Sequence, residues 1–510
     1  MKNSIGREIP ENIIKHRKLY EGEFSVDSTI AKVAPVIKPV NPGESKLLCS
    51  IEEAIVKSGL KDGMTISFHH HFREGDYILN MVVDTIARLG IKNLTLASSS
   101  LGSVHKPLIK HIKDGVITRI TSSGLRGELA EEISKGLMEE PVIIRSHGGR
   151  ARAIEAGDIK IDVAFLGAPS ADEYGNASGT GGAENCGSLG YAKIDAQYAD
   201  KVVIITDYLV DFPNMPASIM QSNVDYVVKI DKIGDSAGIA CGATRYTKNP
   251  KELLMAEYAS RVIVESEYFR EGFSFQTGTG GATLAVSRFI RKEMINAGIK
   301  AGFALGGITK QMVEMHEEGL IKHIFDVQGF DLIAAESIGK NPMHHEIDAS
   351  FYANPHNKGC VANKLDVVVL SALEIDTDFN VNVMTGSDGV LRGASGGHCD
   401  TAACAKLTII VSPLIRGRIP CIVDRVNTVI TPGDSIDVLV TEIGIAINPK
   451  RGDLIERFKD VNIPVFTIEE LKDKIESIVG IPEKIEYDEK VIAIVEYRDG
   501  SIIDVVRKVK

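Results

Sequence analysis

The stretches of this 510-residue sequence best suited to chemistry are rich in glycine and carry an arginine or a histidine. The densest is Met384–Asp400, with glycines at 386, 389, 393, 396 and 397, Arg392 among them and His398 directly after. Glycine lets the backbone approach a ligand closely and leaves N–H groups unpaired, as an oxyanion site requires. Thr277-Gly-Thr-Gly-Gly281 opens a predicted helix, where the amides of Gly278, Gly280 and Gly281 can meet an anion. It lacks both the GxGxxG spacing and the lysine of a Walker A loop. Gly306 and Gly307 lie in a third loop of this kind, Leu305-Gly-Gly-Ile-Thr309.

Arg126, in Ser122-Ser-Gly-Leu-Arg-Gly127, and Arg392 can grip carboxylates bidentately. In His69-His-His71 the outer two rings share one face of a strand and His70 takes the other. No third ligand stands nearby and no HExxH accompanies them. No metal is therefore assigned, and His70 is read as anion-facing or packed. Glu374 closes an apolar run beside Asp376 and is the more functional-looking carboxylate of the two.

These loops need a scaffold that repeats, and the sequence is written twice. Lys160-Ile-Asp-Val through Asn176 returns as Lys364-Leu-Asp-Val through Asn380, with Asp162, Asp172 and Asn176 matching Asp366, Asp376 and Asn380. Ser67-Phe68 echoes Ser274-Phe275, and Asn249-Pro-Lys251 echoes Asn448-Pro-Lys450, in the same order. A period this long is a domain duplication and not a solenoid.

Each half alternates strand and helix. Met64–His69 enters a turn, Gly75–Leu89 carries apolar residues at helical spacing, and Leu94–Ala97 is the next strand. In the second half Phe273–Gln276, a helix from about Ala282 to Gly298, and Gly302–Leu305 repeat the order. Apolar runs at 202–205, 367–370, 407–411 and 438–440 read as buried parallel strands. The fold class is α/β, with two duplicated domains, each an open and largely parallel sheet. Expected boundaries are an N-terminal extension over 1–45, domains over 46–255 and 256–480, and a C-terminal β-hairpin extension over 481–510. Arg498-Asp-Gly between two apolar runs is the hairpin signal.

The composition narrows the class. Lys and Arg number 58 and Asp and Glu 69, a net charge of −11, which argues against nucleic-acid and membrane-surface partners. No apolar run reaches the ~18–20 residues of a membrane span, and the N-terminus has no secretory pattern. Seven cysteines without a CxxC pair point to free thiols and a cytoplasmic location, with Cys399 and Cys404 read as buried filler.

The Asp162-Val…Asp172-x-x-Gly-Asn176 element, followed by a Gly/Ser cluster, resembles the acyl-CoA:carboxylate CoA-transferases. Ser67-Phe-His-His, Leu94–Leu101, Gln276–Gly281, Ser371–Thr377 and Gly393–Thr401 are more specifically similar to the citrate lyase α-subunit family, from about residue 45 to the C-terminus. That resemblance implies a pair of CoA-transferase domains. It implies exchange of acetate for citrate on a thioester, so that acetyl-carrier and citrate give citryl-carrier and acetate. The thioester sits on acetyl-CoA or on the phosphoribosyl-dephospho-CoA arm of a partner acyl carrier (γ) subunit, with no cofactor bound covalently to this chain. A citryl lyase (β) subunit then gives oxaloacetate, within a hetero-oligomer. Where related enzymes carry a covalent glutamate, a rough alignment places Gln328, which cannot be the carboxylate nucleophile. Arg126, Arg392, His70 and His398 are the groups expected to face citrate. Two alternatives remain open: a stand-alone CoA-transferase for another acid, and a non-catalytic scaffold subunit.

Overall fold

The computed structural model of the chain describes every residue except 15, 16, 24, 26–31, 35, 36, 38, 241–246 and 279. Two large sheets organise it. The first has ten strands, with the central order Val163–Gly167, Thr65–Phe68, Leu94–Ser98, Ile117–Ser122, Val142–Ile144. The second has nine, with the central order Ile321–Gly329, Ala301–Ile308, Ser274–Thr277, Val367–Ser371, Leu407–Val411. Among the described residues the pairings in both are parallel, except for the C-terminal hairpin in the first and Val438–Thr441 against Gly444–Ile447 in the second. Val163–Gly167 and Leu407–Val411 are buried along their whole length, as strands covered on both faces must be.

The duplication is physical. Asp162 accepts from the Thr65 amide at 2.8 Å, and Asp366 accepts from the Ser274 amide at 3.0 Å. Asp172 takes both the amide and the side chain of Asn176, at 3.1 and 2.8 Å; Asp376 takes those of Asn380, at 2.9 and 3.3 Å. The matched carboxylates thus close equivalent turns. The Ser67-Phe68 echo is two residues out of step: Ser67 pairs with Ala164 where Gln276 pairs with Val368, so Ser67 corresponds to Gln276. A two-residue slip keeps the same face of a strand, which is why the apolar pattern did not reveal it. The Asn-Pro-Lys echo is local turn chemistry only. Asn249 caps a helix at Pro250–Glu265, whereas Asn448 makes the same turn before a short one at Gly452–Arg457.

The helix Pro250–Glu265 spans the expected 255/256 boundary and buries Met255, Ala256, Ala259, Val262 and Ile263 in the second sheet's core. The hairpin, Tyr487–Glu496 with Ile502–Val509, joins the first sheet beside Val142–Ile144 and is not a detached extension. Ile9 and Ile13 pack on it, and Arg7 pairs with Asp504 at 2.5 Å. A single apolar core runs from Phe68 and Phe165 of the first half to Leu305, Val327 and Val368 of the second. The halves are therefore held face to face.

The helix after Thr65–Phe68 starts at Ile78, the first of its spaced apolar residues, and not at Gly75. Asp76 accepts from the Ile78 and Leu79 amides, both at 3.3 Å, and caps it there.

Candidate active site

The loops that leave the carboxyl ends of the two sheets meet. Leu125 N–H donates to Gly393 O at 3.0 Å, Ser395 N–H to Ser123 O at 2.8 Å, and His147 N–H to Gly396 O at 2.8 Å. Gln328 ends the strand Ile321–Gly329 and its side chain donates to His70 O at 3.1 Å. Open α/β sheets bind ligands at this edge.

The histidine run divides as its alternation predicts. His70 bonds Ser99 Oγ through Nδ1 at 2.6 Å and stacks on Tyr191 and His147, with centroids at 5.0 and 5.7 Å. His69 Nε2 must donate to Gly167 O, at 2.9 Å, so its Nδ1 accepts from His71 Nδ1–H. Both outer rings are then neutral and packed, and burial holds their pKa values below the usual range. Burial, then the neighbouring His147, keeps His70 neutral as well. Among the described residues no group of three or more metal-ligating side chains is gathered.

Arg126 is half-buried, and its guanidinium has no hydrogen bond or ion pair among the described residues. Burial presses its pKa down, opposed by Glu74. Such an uncompensated guanidinium is suited to an anion that is not part of the chain. His147 lies beside it. Burial, then Arg150 and Arg126, lower its pKa to about 3, and its buried Nδ1 has no partner.

The glycine loops close the other side. Gly396 and Gly397 have N–H groups with no acceptor among the described residues. A Cβ on Gly397 would stand 2.4 Å from the Tyr352 hydroxyl. Gly280, at φ +151°, starts the helix Gly281–Ala297 with no side-chain cap, and the Gly281 and Ala282 amides likewise meet no described acceptor. Thr279 of this loop lies outside the described residues. Gly278 is a structural turn: its N–H bonds Val369 O at 2.7 Å and its carbonyl accepts from Thr283 Oγ1 at 2.8 Å. Gly306, at φ +100°, lies under the Gln276 carboxamide, which donates to Tyr352 at 3.1 Å.

Gly307 supports the site at one remove. A Cβ there would come within 2.0 Å of the Phe330 ring, and the Arg73 guanidinium rests over that ring at 5.2 Å. Arg73 holds a left-handed backbone at φ +54° and its charge reaches His70. Gly307→Ala is expected to displace the ring, cost about 1–3 kcal/mol of stability, and weaken anion binding. Denaturation and anion titration of the variant check both.

Glu374, Arg392 and His398, expected in the site, also lie elsewhere or play another part. Glu374 is buried away from this cluster, with its carboxylate held by Asn382 Nδ2 at 2.9 Å and by Asn427 N and Nδ2 at 3.2 and 3.1 Å. It lines a separate cavity of about 1130 Å³ with Arg7 and Tyr487. Arg392 is exposed and paired with Asp388. His398 is near the cleft, but both nitrogens are spent: Nε2 donates to Ser371 O at 3.0 Å and Nδ1 accepts from Thr431 Oγ1 at 2.6 Å. Burial lowers its pKa to about 4. The unfolded chain takes up that proton near 6.5, so this stability is complete above pH 6.5 and lost as pH falls toward 4. Between pH 7 and 5 the loss from this ring is about 2 kcal/mol. Unfolding curves should show His398→Gln losing correspondingly less stability over that range than the parent.

Sequence reasoning missed His147, Tyr191, Arg73 and Asp400. One signal was available: Ser146-His-Gly-Gly149 follows a strand with the same residues that mark Gly396-Gly-His398. Asp400, fully buried, joins the two, accepting from Ser146 Oγ at 2.7 Å and Gly148 N at 2.8 Å.

A duplicated α/β chain whose strand-end loops meet around an arginine and bare glycine amides has the CoA-transferase fold. A 4-hydroxybutyrate CoA-transferase from Porphyromonas gingivalis has the same fold (TM-score 0.54, 18% identity, covering 85% of this chain and 97% of that one). The model of the family "Citrate lyase, alpha subunit (CitF)" matches residues 44–509. The Escherichia coli citrate lyase alpha chain is 60% identical over 467 residues, 92% of each chain, and the Haemophilus influenzae one 56% identical over 491 residues, 96% of this chain and 98% of that one. A citrate lyase alpha subunit from Streptococcus mutans, solved in complex with citrate, superposes with a TM-score of 0.98 at 64% identity over the whole of both chains. The chain belongs to the citrate lyase α-subunit family. Among the described residues no helix is long and apolar enough to cross a membrane.

Proposed function

We propose that the chain exchanges acetate for citrate on a thioester, at the cleft between its two sheets. The thioester is carried by acetyl-CoA or by the phosphoribosyl-dephospho-CoA arm of an acyl carrier subunit. The observation that carries this reading is Arg126, a half-buried cation without an internal partner, facing loops whose amides are unspent. The S. mutans relative binds citrate, which supports a tricarboxylate as the anion.

A citrate carboxylate attacks the acetyl thioester carbonyl, and the carbon–sulfur bond breaks to leave a thiolate and a mixed anhydride. The thiolate then attacks the citryl carbonyl and releases acetate. Holding the carboxylate against the carbonyl can contribute about 7–11 kcal/mol. Each amide aimed at the oxyanion adds about 3–4 kcal/mol. The amides of Gly281, Ala282, Gly396 and Gly397 are the donors in this reading, and Arg126 with His70 and His147 holds citrate. A neutral ring can donate one hydrogen bond at no Coulombic cost and gain a proton as the trianion arrives. In the wider setting a citryl lyase subunit consumes the citryl thioester, within a cytoplasmic hetero-oligomer.

Gln328 spends its amide on His70, and Glu374 is enclosed by donors, so neither is positioned as a nucleophile toward Arg126. Direct transfer is the route this supports. Purified chain given acetyl-CoA and citrate should form citryl-CoA, and hydroxylamine or borohydride trapping should leave every glutamate unmodified. A trapped glutamyl thioester would replace direct transfer with a covalent route; absence of citryl-CoA would remove the proposed activity.

A further inference from the structure

Citrate carries one polar group that neither a cation nor an oxyanion site serves, its tertiary hydroxyl. Enclosed without a partner, such a group costs binding energy. An alcohol or phenol side chain can both donate to it and accept from it. Most neutral polar groups at the cleft are engaged within the chain. Ser99 Oγ bonds His70 at 2.6 Å, and Ser146 Oγ donates to Asp400 at 2.7 Å. Gln276 Nε2 donates to the Tyr352 hydroxyl at 3.1 Å, which donates back to Gln276 Oε1 at 3.4 Å. Gln328 donates to His70 O, and both nitrogens of His398 are spent.

Tyr191 differs. Its ring is 3% exposed and lies among the imidazoles of the cleft, with centroids 4.5 Å from His147, 5.0 Å from His70 and 5.5 Å from His71. Its hydroxyl makes no hydrogen bond among the described residues, and unlike His147 Nδ1 it is not sealed. Burial, then Tyr352, Asp326 and Asp400, raise its pKa well above the ordinary phenol range, so at neutral pH it keeps its proton to donate.

The surrounding backbone holds this ring in place. Tyr191 belongs to the helix Gly190–Tyr198 of the first half, yet the start of that helix is tied to the second. Leu189 N–H donates to Glu346 Oε1 at 2.7 Å, and Ser188 Oγ donates to Asp326 O at 2.9 Å. A Cβ on Gly190 would stand 2.4 Å from Ile347 O and 2.6 Å from Val327 O, so glycine alone lets the helix start sit this close. Tyr191 is thus fixed where the halves meet, and its hydroxyl needs no reordering to bind.

We propose that the Tyr191 hydroxyl hydrogen-bonds the tertiary hydroxyl of citrate, and so sets the preference of the site for a hydroxylated tricarboxylate. This rests on the reading of the cleft as the citrate site. Arg126 and the histidines meet carboxylates, which every tricarboxylate offers. The phenol meets the one group that distinguishes citrate from its unhydroxylated analogue. An acid lacking that group leaves the Tyr191 hydroxyl enclosed and unpaired, which is how a polar site rejects a near-isostere.

Full-length parent and Tyr191→Phe chains are titrated calorimetrically with citrate and with tricarballylate, which is citrate without the hydroxyl. Phenylalanine keeps the ring and its stack, so the melting temperature should not move. The parent should bind citrate more tightly than tricarballylate. In Tyr191→Phe the citrate affinity should fall about fivefold to fiftyfold, while tricarballylate stays within about twofold of the parent. Equal losses for both acids would make Tyr191 a carboxylate or packing group and overturn the inference. Unchanged citrate affinity with slowed acetyl-CoA/citrate exchange would place the hydroxyl at the oxyanion instead, and overturn it too. Arg126→Ala separates the two levels. If that variant binds citrate like the parent, the acid lies outside this cleft and the site reading itself falls. If it loses citrate while Tyr191→Phe does not, only the role of Tyr191 falls.

Discussion

Arg126→Ala is expected to abolish most citrate binding while leaving the fold intact. The arginine makes no internal hydrogen bond or ion pair among the described residues, so truncation removes no native contact of its charge. Deleting the charge also relieves the burial that opposes it. Stability should therefore stay level or rise slightly. Binding is another matter. A carboxylate held by a partly desolvated guanidinium loses about 2–5 kcal/mol when that partner goes, or roughly 30-fold to several-thousand-fold in affinity. Arg126→Lys keeps the charge and loses the planar fork, so it should fall between the two. Calorimetric citrate titration against thermal unfolding separates these effects. Weak binding together with a lowered melting temperature would mean that Arg126 is structural.

The second large effect is expected on stability and activity together. Asp400 is fully buried, and burial raises its pKa to about 6, so it is charged at neutral pH. It accepts from Ser146 Oγ and the Gly148 amide and faces Arg498. Asp400→Ala leaves an amide, a hydroxyl and a buried guanidinium without their acceptor, at about 3–5 kcal/mol. Asp400→Asn keeps the volume and one acceptor oxygen, which the Gly148 amide can use, so its cost is smaller. Both variants should also slow exchange, because Ser146 and Gly148 flank His147. Chemical denaturation and the exchange assay together test this. An alanine variant as stable as the parent would exclude Asp400 as the tie between the loops.

The fold was legible wherever one residue type closes a local turn. Asp162 and Asp366, and the pairs Asp172–Asn176 and Asp376–Asn380, recur in the sequence because each carboxylate satisfies equivalent backbone donors in its own half. The parallel strands followed from their apolar runs. The domain boundary was obscured because Pro250–Glu265 starts with an Asn-Pro-Lys turn that also occurs at Asn448, where a different element follows. The glycine loops were legible as a group, since unspent amides are a property of the loop itself. Individual side chains were not. Glu374 sits at a strand end as a catalytic acid might, but Asn382 and Asn427, distant from one another in the chain, enclose it. Arg392 lies in the richest glycine cluster, yet Asp388 one turn away holds it at the surface. His147 escaped notice because its place depends on Gly396 and Asp400, some 250 residues on, by way of hydrogen bonds of separation 252 and 254. Whether a charge is spent or spare is decided by such long-range partners.

The central claim is that citrate and the thioester share the cleft lined by Arg126, His147 and the turns at Gly280 and Gly396. A crystal of the full chain soaked with citrate and CoA tests it most directly. The account predicts a citrate carboxylate on the Arg126 guanidinium and the CoA sulfur between the two glycine turns. Citrate seated elsewhere, such as the cavity beside Arg7 and Tyr487, with Arg126 still unpartnered, would contradict it.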